Sequence, residues 1–91
     1  MIKFSKEEEG VLRAAIGTYG DKMQRLVAIE ELSELIKSLC KYDRGEKSNI
    51  PEEMADVYIM LEQLMIMFKN RFEVQEIAGQ KISRLQHRLE E

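Results

Sequence analysis

The chain has little of what most protein sites and staples are made from. Its 91 residues include one cysteine, one histidine and one proline, and no tryptophan. Cys40 alone cannot close an internal disulfide, which fits a reducing, cytoplasmic setting. It sits on the apolar side of its helical segment, so a small buried thiol is expected there. No apolar run is long enough to cross a bilayer, and the opening MIKFSKEEEG lacks the apolar core of a signal peptide. There is no excess of positive charge either: seventeen Asp and Glu stand against fourteen Lys and Arg, so no surface for nucleic-acid backbone or membrane is expected. The phosphate-loop pattern G-x-x-x-x-G-K-S/T, the G-x-S-x-G elbow and the Cys-x-x-Cys pair are all missing.

What is present favours helix almost throughout. One proline and five glycines leave long stretches of Leu, Met, Ala, Glu and Lys uninterrupted. Ser5-Lys6-Glu7-Glu8 has the form of a capping box and opens a helix carrying Val11, Leu12, Ala15, Ile16 and Tyr19, which Gly20 ends. Asp21 offers the next cap, for a long helix reaching about Tyr42 that Asp43-Arg44-Gly45 stops. Its apolar residues occupy more than one stripe, so covering on two sides is expected, by its own domain and by a second subunit. Pro51 suits the first turn of a third helix, and Asn70 caps a fourth with Val74, Ile77, Ile82, Leu85 and Leu89 on one face. Short loops imply antiparallel neighbours. The expectation is a single all-α domain over residues 1–91, a four-helix antiparallel bundle-type protomer.

Two acidic motifs stand out. Ile29-Glu30-Glu31-Leu32-Ser33-Glu34-Leu35 is answered by Pro51-Glu52-Glu53-Met54-Ala55-Asp56-Val57. Acids three apart on a helix present their carboxylates side by side. Val27 and Leu35 flank Glu31 by one turn, and Val57, Met60 and Leu64 continue the face that Glu53 begins, so these anions border apolar faces where a bare charge is costly. If the second and third helices are antiparallel, Glu31 and Glu34 can meet Glu53 and Asp56. Two unit charges about 5 Å apart at an effective dielectric near 20 repel by roughly 3 kcal/mol, and a divalent cation reverses that sign. Oxygen-only donors suit Mg²⁺, with Mn²⁺ as a substitute, rather than zinc. A di-iron site needs Glu-x-x-His motifs, and His87 is remote from both acidic pairs. No segment has the alternating acids of an EF-hand.

These residues resemble the signature of the MazG-like all-α nucleoside triphosphate pyrophosphohydrolases. The likeness rests on Glu30-Glu31-x-x-Glu34 followed by Glu53-x-x-Asp56 and runs from about Gln24 to Leu64, more weakly to Leu85, with Leu26-Val27-Ala28-Ile29 and Val57-Tyr58-Ile59-Met60-Leu61 as flanking text. It implies Mg²⁺-dependent cleavage between the α and β phosphates of normal or noncanonical (deoxy)nucleoside triphosphates, a house-cleaning activity. Glu31, Glu34, Glu53 and Asp56 would be metal ligands, and Glu30 an outer acid that helps orient water. Lys81 and Arg84 loosely match the basic pair that the family sets against the phosphates, with Lys69 and Arg71 as weaker candidates. The resemblance further implies a homodimer, sometimes paired into a tetramer. The chain departs from the family in having no tryptophan to stack a base. Tyr19, Tyr42, Tyr58 and Phe72 are available but are expected in the core, and the methionines are expected in packing. The competing expectation is a non-catalytic helical module that keeps the fold, either for interaction or for sensing a nucleotide without turnover.

Overall fold

The structure is a computed structural model that describes residues 3–91; Met1 and Ile2 of the opening stretch lie outside the described residues. Four helices follow in order: α1 (Lys6–Tyr19), α2 (Asp21–Asp43), α3 (Ile50–Phe68) and α4 (Arg71–Leu89). Among the described residues there is no strand, and no helix is long and apolar enough to cross a membrane.

Local chemistry accounts for the element ends. The Ser5 hydroxyl accepts from the Glu8 amide at 3.1 Å while the Glu8 carboxylate accepts from the Ser5 amide at 2.8 Å, the full capping box. Gly20 alone joins α1 to α2. Its φ of 91° and ψ of 154° belong to a region that only glycine occupies readily, so the cap of α2 is Gly20 and Asp21 is its first helical residue. Asn49 and Asn70 stand at the N-cap positions of α3 and α4, yet neither side chain accepts from the helix backbone. The Asn49 amide instead donates to the Glu52 carboxylate. Lys69 ends α3 in the left-handed region at φ 52°.

The main interface is between α2 and α3, with α1 lying against both. The buried apolar centre is small: Leu12 from α1, Ala28 from α2, and Val57 and Met60 from α3. Ala28, the small residue of this group, is only 2% exposed. Phe4 seats the start of the chain on α3, its ring 5.3 Å from that of Tyr58.

α4 makes no comparable contact, and none of its residues is buried. The all-α class and the four helices are as expected, but within one protomer only α1, α2 and α3 pack together. The radius of gyration is 15.8 Å, against about 12 Å for a compact chain of this length. α2 also keeps a second apolar stripe uncovered. Leu26, Ile29, Leu32, Ile36 and Leu39 are between 40% and 62% exposed. Cys40 lies with this stripe and is exposed, correcting the expectation of a buried thiol: the thiol is on the face turned away from α3. Tyr19, Tyr42 and Phe72 are likewise exposed rather than in the core, and only Tyr58 of the four aromatics is half-buried.

One ion pair holds the start of α4. Arg71 donates from both terminal nitrogens to the Glu62 carboxylate, at 2.8 Å for Nη1 to Oε2. Glu62 is 8% exposed, so its charge needs this partner. The bond with Glu62 holds the guanidinium pKa above its ordinary value.

Candidate functional site

The α2–α3 hairpin sets an antiparallel register in which Glu31 comes beside Asp56 while Glu34 comes toward Glu53. Glu31, Glu53 and Asp56 are all half-buried, and each offers a carboxylate oxygen within 4.8 Å of the other two. The apolar flanks explain the partial burial: Val57 and Met60 are buried, and Val27, Leu35 and Leu64 are half-buried.

Like charges crowd one another here and shift these carboxyls. Partial burial, then the neighbouring Asp56 carboxylate, then a hydrogen bond shared with Asp56, raise the Glu31 carboxyl above its ordinary 4.5. The charges of Glu53 and Glu34 add to this. Glu53 is raised in the same direction, first by desolvation and then by Asp56, Glu34 and Glu52. Anions held this way are disfavoured unless a cation or a proton joins them.

The donor set fits a hard divalent ion. Oxygens on opposite sides of an octahedral Mg²⁺ stand about 4.2 Å apart. Adjacent ligand oxygens on such an ion stand about 3 Å apart, so three carboxylate oxygens within 4.8 Å of one another would draw together to share one.

The other expected residues fall differently. Glu34 is exposed and outside the close triad; its carboxylate lies 3.7 Å from the Lys37 ammonium, although its charge is felt by both Glu31 and Glu53. Glu30 is exposed on α2 and takes no part in the triad. Lys81 and Arg84 are exposed on α4 and are not brought to the acids within one chain, because α4 does not fold back on the hairpin. Arg71 is engaged by Glu62.

Beside the triad is a feature that the sequence reading missed. An open surface groove of about 450 Å³ is lined by Glu34 and Glu53 together with Lys37, Lys41, Lys47 and Ser48, near the α2–α3 loop. The signal was available in part, since residues 34, 37, 38 and 41 share one face of α2 at helical spacing. That Lys47 would reach the same space depends on the loop's path. Compared with known proteins, the chain matches no family model, no curated protein and no solved structure.

Proposed function

We propose that this chain is a Mg²⁺-dependent nucleoside triphosphate pyrophosphohydrolase of the MazG-like all-α kind, converting a nucleoside triphosphate and water to the monophosphate and pyrophosphate. The observation that carries the proposal is the meeting of Glu31, Glu53 and Asp56 from two helices within 4.8 Å, bordered by apolar side chains. Glu31, Glu53 and Asp56 hold the ion, with Mn²⁺ as an alternative, and Glu34 joins from the rim. What a bound divalent cation supplies there is positive charge for phosphate oxygens and a more acidic water. Glu30, exposed one residue before Glu31, serves as an outer acid orienting water.

Self-association belongs to the same proposal. The accessible surface is 7449 Å² for a mass of 10.7 kDa, whereas a compact monomer of that mass exposes about 5,500 Å². The excess lies in the range that an obligate interface buries. It coincides with the uncovered stripes of α2 and α4. A homodimer, or a pair of dimers, covers them and gives Lys81 and Arg84 a route to the acids of another copy.

The test is incubation of the chain with a panel of canonical and noncanonical nucleotides and Mg²⁺, followed by assay for pyrophosphate. Asp56→Asn should lower turnover by at least about 100-fold, since even outer-shell changes at metal sites cost about 10–100-fold. Absence of turnover of every nucleotide by folded protein defeats the proposal. The exposed apolar surface equally favours a helical interaction module without catalysis. That alternative expects no rise in melting temperature with Mg²⁺, whereas a metal site expects one.

A further inference from the structure

The lysine-lined groove is used by nothing in the fold. Lys37, Lys41 and Lys47, all exposed, line one open groove together with Glu34 and Glu53. Only Lys37 is held in an ion pair, with Glu34. Lys41 lies in the last turn of α2, where a cation is favourable in any case. Lys47 has no such reason to be there, because it comes from the loop.

The same groove is lined by Asn49, the residue at the N-terminal end of α3. That 19-residue helix has no side-chain cap, because the Asn49 amide is turned to Glu52. The hydroxyl-bearing residues Ser38 and Ser48 complete the lining. Lysine ammonium groups and hydroxyls share one preferred partner, a phosphate oxygen.

We infer that this groove binds the β and γ phosphates of the substrate, the part that departs as pyrophosphate, through Lys41 and Lys47 with Lys37 at the junction to the acids. The inference rests on the catalytic proposal above for what the acids do, but its geometry is separate from the triad. It places phosphate recognition on α2 and its following loop in the same protomer, in addition to Lys81 and Arg84 from another copy. It also makes the site selective for length of the phosphate chain, since a nucleoside monophosphate leaves the groove unfilled.

The test is binding of inorganic pyrophosphate to the full chain in Mg²⁺ buffer by calorimetry, alongside nucleotide turnover. Lys41→Gln with Lys47→Gln should weaken pyrophosphate binding by about 10–100-fold, as expected when charge-assisted hydrogen bonds are lost. In the same variant KM for a nucleoside triphosphate should rise in parallel. Lys41→Arg with Lys47→Arg should restore most of the affinity, and Lys22→Gln on the exposed start of α2 should change nothing. Helical circular dichroism confirms that each variant is folded. Wild-type chain that fails to bind pyrophosphate, or variants that bind it as wild type does, overturn the inference whether or not nucleotides are hydrolysed. Lysine-dependent pyrophosphate binding without any turnover supports the groove and defeats only the catalytic proposal.

Discussion

Glu31 is the side chain on which the acidic site turns, since it is the α2 acid that meets both α3 acids. Its raised pKa, like that of Glu53, has a thermodynamic consequence. The folded chain binds protons at these carboxyls more tightly than the unfolded chain, whose ordinary value is 4.5. Stability from this source is complete below the unfolded value and is lost as pH rises through the raised values. In the absence of metal, Glu31→Gln should therefore melt higher than wild type near neutral pH, and the gap should close on acidification. Thermal melts in chelator between pH about 4.5 and 8 check this. Parallel profiles for the two proteins would show that the carboxylates do not crowd one another. With Mg²⁺ added the pH trend of wild type should reverse, because protons then compete with the ion for the same oxygens.

Among the elements, the α1–α2 and α3–α4 joints each turn on one residue with positive φ. Gly20 serves α1 and α2 at once in a conformation closed to other residues, and a Cβ built there meets nothing within 4 Å. Gly20→Ala should cost about 1–3 kcal/mol purely through the backbone. Lys69 holds the left-handed position at the end of α3 without being glycine, so Lys69→Gly should stabilise by roughly 0.5–1 kcal/mol. Urea denaturation followed by circular dichroism measures both. A Gly20→Ala midpoint equal to that of wild type would mean that the α1–α2 joint relaxes freely. α4 is held differently, through the Arg71–Glu62 pair at its first residue, while the rest of its length has nothing buried beneath it.

For the whole molecule the governing fact is incomplete burial. A principal extent of 48 Å and, among the described residues, a core of four buried apolar side chains mark a fold that does not use up its own hydrophobic content. If a second copy covers the outer stripe of α2, Ile36→Glu on that stripe, 62% exposed in the protomer, should shift the chain from dimer or tetramer to monomer with a lower melting temperature. Sedimentation equilibrium reads the change directly. A wild-type chain that sediments as a stable monomer removes the assembly from the proposal.

The helices and their ends were legible in the sequence because they depend on interactions within about four residues. The capping box at Ser5, the stop at Gly20 and the proline at the start of α3 all act locally, and the i, i+3 acid pairs follow from helix geometry alone. What the tertiary structure decided was which face of α2 meets α3. The face of α2 that packs is mixed, with Gln24, Ala28, Glu31, Leu35 and Ser38, while the more apolar stripe of Leu26, Ile29, Leu32, Ile36 and Leu39 stays outside, so local hydrophobicity did not make the choice. The face chosen put Glu31 into the triad, left Glu34 at the rim, exposed Cys40 and Ile36, and turned Lys37 and Lys41 toward Lys47. Such a choice comes from the fit of residues far apart in the chain, here the burial of Ala28, Val57 and Met60 as α2 packs on α3, and only the packed hairpin resolves it.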